Sequence, residues 1–220
     1  MVMQRALRPE QKEIRRQAIL AGAAQLFGQV RYQDLRMADL AKELGLGKGT
    51  LYLYFPTKEA LFLAVLKGEM GAWFHGAAAR LEATTPGADP VHVAEGLVRE
   101  LLDRPLLPGL QALLHGVLEQ NVPKEDTRAF ARFLQDGVAL VGTNLEKVIP
   151  LAPGRGAEFL LRFYGLVIGT QLMSSRPRTV REALEDPGLD VFTFTFEEVF
   201  RGAVVDMLQG MLLAGALTLA

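Results

Sequence analysis

The chain has 220 residues, half of them hydrophobic and 22% charged, and it contains no cysteine. That composition is globular rather than disordered, and it excludes disulfides, zinc ribbons and thiol nucleophiles. The formal charge of −1 hides an asymmetry, because residues 1–58 carry +5 and the remainder −6. Such a split suits a nucleic-acid-binding module joined to a separate acidic body, or else reflects uneven scatter of surface charge.

No secretory leader is expected, since the N-terminus is basic and polar through Arg16 with no apolar run behind it. The longest apolar tract, Met211 to Ala220, is too short to span a bilayer and reads as a buried helix end. A cytoplasmic setting without membrane contact is the expectation. Met1 to Arg8 is a basic arm, whose Arg5 and Arg8 either reach DNA or are simply solvated. A first helix is predicted from about Gln11 to Gly28, with Ile19, Ala23, Leu26, Phe27 and Val30 as its core stripe. Arg15 and Arg16 lie near its start, where the helix dipole disfavours cations unless a phosphate is nearby.

Met37 to Phe55 is the most informative stretch. Met37, Leu40, Ala41 and Leu44 fall at i, i+3, i+4, i+7, on one face of a helix. Gly45-Leu46-Gly47 breaks that period, and Gly45 suits the positive φ of a helix C-terminus. Lys48 to Tyr54 is a second short helix, with Leu51 facing back and Lys, Thr and Tyr side chains facing out. This is a helix-turn-helix pattern. Pro56-Thr57-Lys58-Glu59 then opens a helix running to about Glu82, with Thr57 as N-cap.

These residues resemble the DNA-binding domain of the TetR family of bacterial transcriptional regulators. The likeness covers roughly residues 12 to 73. It rests on Ile19-Leu20 with Ala24 and Leu26-Phe27, on Asp39-Leu40-Ala41 and Gly45-Leu46, and on Lys48-Gly49-Thr50-Leu51-Tyr52 with Tyr54-Phe55. Pro56 through Phe62 extends it. The resemblance implies an all-α protein: a three-helix DNA-binding domain over 12–73, with its helix-turn-helix over 36–55, and a helical effector-binding and dimerisation bundle over 74–220. It implies DNA contacts by Arg36, Lys48, Gly49, Thr50, Tyr52, Leu53, Tyr54 and Lys58. Three positions depart from the family pattern. Arg31 stands where glycine is usual, which would be strained if φ were positive. Leu35-Arg36 replace the Ser or Thr that usually caps the second helix, unless Asp34 caps it instead. Gly47 offers no hydroxyl where serine is common, and Leu53 can make only apolar contacts.

Beyond a Pro/Gly-rich linker at Thr84–Pro90, every apolar pattern is helical, with helices predicted near 90–103, 108–120, 124–148, 155–176 and 193–217. Val191 to Phe194 alternates like a strand but stands alone. Trp73, Phe74, Leu110, Leu114, Phe130, Phe133, Leu134 and Tyr164 are candidates to line an apolar pocket for an acyl or aromatic effector, or else they fill the core. Arg128, Arg132 and Arg162 are candidates to meet an anionic end. Phe159, Phe163, Val167, Phe196, Phe200, Val204 and Leu208 make the last two long helices apolar on more than one face; a two-fold dimer would cover the surplus, or else these residues fill an intrachain core. Gly165 and Gly169 at i, i+4 allow close approach.

No H-E-x-x-H, Walker loop or G-x-S-x-G occurs, and His75, His92 and His115 are scattered, so neither an enzyme nor a metal or other cofactor is expected. The expectation is a homodimeric, ligand-responsive repressor that binds double-stranded operator DNA. The alternative is a helical carrier of a lipid-like ligand with a vestigial DNA-binding head.

Overall fold

The computed structural model describes residues 8–120 and 122–218, the side chains of 216–218 excepted. In chain order the helices are α1 (Pro9–Phe27), α2 (Met37–Glu43), α3 (Lys48–Tyr54), α4 (Lys58–Glu82) and α5 (Pro90–Leu102). After them come α6 (Leu107–Leu113), α7 (Lys124–Val148), α8 (Arg155–Ser174), α9 (Arg178–Ala183) and α10 (Phe196–Thr218). No strand occurs among the described residues. The chain forms two compact units: a head, Met1–Gly68 with Leu114–Pro123, and a body, Glu69–Leu113 with Lys124–Ala220.

In the head, α1 buries Ile19 and Ala23, α2 buries Met37, Leu40 and Ala41, α3 buries Leu51, and α4 buries Leu61, Phe62, Val65 and Leu66. The helical spacing of these positions turns one apolar face of each helix inward. The Phe62 ring meets Phe27 at 5.7 Å and the edge of Tyr32 at 5.3 Å. Val30 is no part of this core: α1 stops at Phe27, and Val30 is exposed. Arg5 lies outside the described residues, and Arg8 is exposed at the start of α1.

The turn between α2 and α3 closes by backbone hydrogen bonds. Gly45 takes φ 63°, as its place after the helix requires. Its N–H donates to Lys42 O at 3.1 Å, and the Leu46 N–H donates to Ala41 O at 2.8 Å. This is the Schellman arrangement, which satisfies the last carbonyls of a helix. The Arg31 departure carries no strain, since its φ is −61°. Arg31 Nε instead donates to Asp34 Oδ2 at 2.9 Å. Asp34 is therefore not the substitute cap of α2; Arg36 holds the N-cap position without a side-chain bond. Thr57 does cap, its Oγ1 accepting from the Ala60 N–H at 3.0 Å.

In the body, α8 packs against α6, α7 and α10, and α10 packs against α5. The α7–α8 crossing is a backbone contact. A Cβ on Gly156 would run into the Gly142 carbonyl and lie 2.9 Å from Gly142 Cα. At the same point the Gly156 N–H donates to Glu146 Oε1 at 2.8 Å, so a side chain of α7 satisfies an orphan donor in the first turn of α8. An aromatic chain ties three helices together: Trp73 on Phe163 at 5.3 Å, Phe163 on Phe200 at 5.1 Å, and Phe200 on Phe196 at 5.1 Å.

Several boundaries differ from expectation. The helix predicted over 108–120 is α6 followed by a wider π turn, Leu114–Leu118. The alternating Val191-Phe192, as expected, forms no strand and lies in a 3-10 turn. The C-terminal end of α10 is only partly buried: Met211 is, whereas Leu213 is 69% exposed. Among the described residues no helix is long and apolar enough to cross a membrane.

The glycine crossing is directly testable. Gly156→Ala should cost about 1–3 kcal/mol in denaturant unfolding, because the methyl meets backbone that cannot rotate away. An unchanged midpoint would mean that α7 and α8 are not in backbone contact.

Candidate functional site

The outward face of the head is built on α3. Seven residues are too few to hold a helix in water without tertiary support. Leu51, wholly buried, and Phe55 at its C-terminal end, 3% exposed, supply that support. With Leu51 turned in, helical geometry turns Gly49, Tyr52 and Leu53 out, and Lys48 is exposed at the first position of the helix. Tyr52 is 41% exposed and Leu53 81%. Thr50 and Tyr54 are half-buried at the edges of this face, and Arg36 is exposed at the start of α2. Gly47 holds the N-cap of α3 without any side-chain bond. The Arg16 guanidinium, half-buried, lies 5.4 Å from the centre of the Phe55 ring, packing α1 onto the base of α3.

Lys58, expected to contact phosphate, is engaged within the head. Its Nζ donates to Tyr32 O at 2.9 Å and to Leu35 O at 3.0 Å, and it sits 4.1 Å from the centre of the Tyr32 ring. The ammonium thus closes the α1–α2 loop onto the first turn of α4. The Leu35 carbonyl, and the Tyr32 carbonyl that also accepts from the Leu35 N–H at 3.2 Å, receive a charged donor there. Beside it the Tyr32 hydroxyl donates to Glu59 Oε1 at 3.3 Å. Burial, and then the adjacent Glu59 carboxylate, push the phenol pKa upward, so it remains a protonated donor. This Tyr32–Lys58–Glu59 cluster is absent from the sequence reading, because its partners are main-chain oxygens and residues 26 or 27 positions apart.

The body contains a cavity of about 460 Å³ bounded by α4, α5, α6, α7 and α8. Of the eight pocket candidates, Trp73, Phe74, Leu134 and Tyr164 line it. The other four do not. Leu110 and Leu114 are wholly buried core, Phe130 is buried, and the Phe133 ring lies 5.8 Å from that of Phe74 in an edge-to-face contact. Phe163, expected at a dimer interface, lines the cavity instead. None of Arg128, Arg132 and Arg162 lines it, and Arg162 is paired with Glu158. Gln111 was not anticipated. It lines the cavity and is 6% exposed, with an Oε1 that meets no partner; the Nε1 of Trp73 is likewise unpartnered.

The expected interface residues are the protomer's own core. Phe159, Val167, Phe200, Val204 and Leu208 are wholly buried within one chain, Phe163 is 4% exposed, and Phe196 is half-buried. The opposite sides of the same two helices are open. A Cβ at Gly165 or Gly169 of α8, or at Gly202 or Gly210 of α10, would meet nothing within 4 Å. Leu161, Leu172, Val199 and Leu213 are exposed beside them.

A helix-turn-helix head with an outward second helix, joined to a helical body that encloses a cavity, defines the class of DNA-binding regulators with a ligand-binding domain. Residues 19–65 match the family model described as bacterial regulatory proteins, tetR family, and residues 67–215 match the tetracyclin repressor-like C-terminal domain. The chain belongs to the TetR family. It is similar to the HTH-type transcriptional regulator RutR of Escherichia coli strain K12, 37% identical over 59 residues, which are 27% of this chain and 28% of RutR. The match therefore spans little more than a quarter of that relative. Among solved structures, a possible TetR family transcriptional regulator from Streptomyces coelicolor A3(2) has a TM-score of 0.56 at 21% identity, covering 90% of this chain and 99% of that one. The fatty acid degradation regulator FadR from Bacillus halodurans has a TM-score of 0.56 at 15% identity, covering 94% and 97%. Both speak for the fold.

The role of Lys58 separates cleanly by experiment. Lys58→Met should lower the head's stability by about 1–3 kcal/mol, the scale of hydrogen bonds to a charged group. The salt dependence of DNA binding by the folded fraction should be unchanged. A drop of about one in the slope of log K against log salt, with stability intact, would instead return Lys58 to the phosphate backbone.

Proposed function

We propose that this protein is a ligand-responsive transcriptional repressor that binds operator DNA as a homodimer. The observation that carries the proposal is α3, held by Leu51 with Lys48, Tyr52 and Leu53 facing solvent. Lys48, Arg36 and Tyr54 suit phosphate contacts, which supply much of the affinity and none of the sequence reading. Thr50 and Tyr52 offer hydroxyls to base edges. Leu53 offers only apolar surface, so its natural complement is a thymine methyl. In this reading residues 12–73 are the DNA-binding domain and 74–220 the ligand-binding and dimerisation domain. An operator partner places its work in the cytoplasm.

One short helix buries too little for tight specific binding, and a two-fold dimer doubles the contact. The two α3 helices would then enter half-sites about 34–36 Å apart, or a multiple of that. The pairing surface proposed is the open side of α8 and α10 around Gly165, Gly169, Gly202 and Gly210, not the buried residues behind it. Small residues let two such faces approach, and an isologous patch pairs with itself. The cavity supports ligand response. Met70, Trp73 and Phe74 line it, and they lie on α4, the same helix whose first turn carries Lys58. A ligand that fits one setting of these residues better than another shifts the population toward that setting, and release from DNA follows if α3 spacing differs between them. The cavity alone would also suit a ligand carrier, and only DNA affinity separates the two.

Binding to fragments of the source genome, followed by footprinting, is the decisive measurement. Tyr52→Ala should weaken operator binding by about 1–3 kcal/mol with the dimer intact. Lys48→Ala should reduce the salt slope by about one and act alike on all sequences. Protein that ignores every duplex at low salt would favour the carrier. Gly169→Leu should convert the dimer to monomer in sedimentation while leaving the helical circular dichroism unchanged. A dimer that survives it would move the interface elsewhere.

A further inference from the structure

The composition of the cavity wall constrains the ligand more narrowly than its size does. At about 460 Å³ it has room for about 15 waters at roughly 30 Å³ each, the scale of a small drug-like molecule. No Lys, Arg, His, Asp or Glu lines it. Ala131, Gln135 and Leu161 are exposed, so the cavity opens between α7 and α8, while Trp73 and Gln111 lie at its buried end. Those two side chains are 5% and 6% exposed, and each carries a buried polar atom with no partner. An unsatisfied buried donor or acceptor is costly and seldom left so without a function.

The indole N–H can only donate, so it calls for an acceptor. The Gln111 amide oxygen is the unpartnered atom and calls for a donor, and turning the amide over would call for an acceptor instead. A hydroxyl satisfies both arrangements, because it donates and accepts. A carboxylate satisfies both groups only with the amide turned over, and in either arrangement it would enter the wall without a countercharge, which burial strongly disfavours. From this we infer that the effector is an uncharged, mainly apolar molecule bearing a hydroxyl or comparable donor–acceptor group, held at that group by Trp73 Nε1 and the Gln111 side-chain amide. The inference rests on the cavity being the effector site, and it sets aside the anionic head that Arg128, Arg132 and Arg162 had suggested.

Trp73 is the chain's single tryptophan, so its fluorescence reports the site directly. The test titrates the full-length protein with 1-decanol, 2-decanone and decanoate at pH 7.5. Saturable change in Trp73 emission is expected with decanol tightest and decanoate at least about tenfold weaker. Gln111→Leu, nearly the same size, should weaken decanol about 3- to 10-fold, the worth of one hydrogen bond, and leave decanone within about twofold. The ranking on the unaltered chain needs no variant, so a misfolded Gln111→Leu does not blunt the test. Decanoate binding as well as decanol, decanol binding indifferent to a folded Gln111→Leu, or no probe moving the emission would each overturn the inference. Operator binding measured with the same probes keeps the two claims apart. Release by decanoate but not decanol sinks the neutral ligand and spares the regulator; decanol binding without release spares the ligand class and sinks the coupling.

Discussion

The structure depends first on the burial of Leu51. Around it stands a helix of seven residues that no intrinsic propensity could maintain. One inward side chain fixes the rotation of α3, and rotation decides everything about its outer face. A turn of about 100° per residue means that no neighbouring position could take over the anchor without bringing a different set of side chains outward. The turn before α3 is equally determined. Gly45 at φ 63° closes α2 with two backbone hydrogen bonds, so α3 starts at a set point and not somewhere along a loop.

The head was legible in the sequence because its determinants are local. The spacing of Met37, Leu40 and Ala41, the glycine after α2, and the cap at Thr57 are each read within a window of a few residues. What escaped notice is non-local or made of main chain. Lys58 looks like any basic residue near a recognition helix, and nothing in its neighbourhood of sequence reveals that the carbonyls of Tyr32 and Leu35 lie within 3.0 Å. Arg31 illustrates the converse. A family habit of glycine suggested a strained backbone, yet the loop simply takes another course with φ −61°.

The body was legible as helices but not as faces. Periodicity says which residues share a side of a helix; it does not say whether that side meets the same chain or another one. Phe200, Val204 and Leu208 are spaced for a buried stripe, and a buried stripe they are, but inside the protomer. The open stripe is the one with little hydrophobic signal, Gly202 and Gly210 on α10 and Gly165 and Gly169 on α8. Hydrophobicity ranks large side chains first, so Gly165 and Gly169 stood only as a point of close approach beside the large residues, and Gly202 and Gly210 were passed over. The error is systematic, and it moved Phe163 from the cavity wall to an imagined interface.

The cavity poses the same difficulty in sharper form. Aromatic residues near one another in space can pack on each other or leave a gap, and the difference is a matter of packing geometry across several helices. Trp73 stacks on Phe163, and Phe163 meets Phe200 edge-to-face, so one ring system serves both as cavity wall and as the tie between α4, α8 and α10. Filling the cavity therefore presses on residues that also hold the body together. Gly142 and Gly156 let α7 and α8 touch backbone to backbone at one end, which leaves little freedom there. A ligand that needs more room must then gain it where the walls are single side chains, at Trp73 and Phe74 of α4, rather than at the glycine crossing. That asymmetry of stiffness is the physical reason to look for the response along α4.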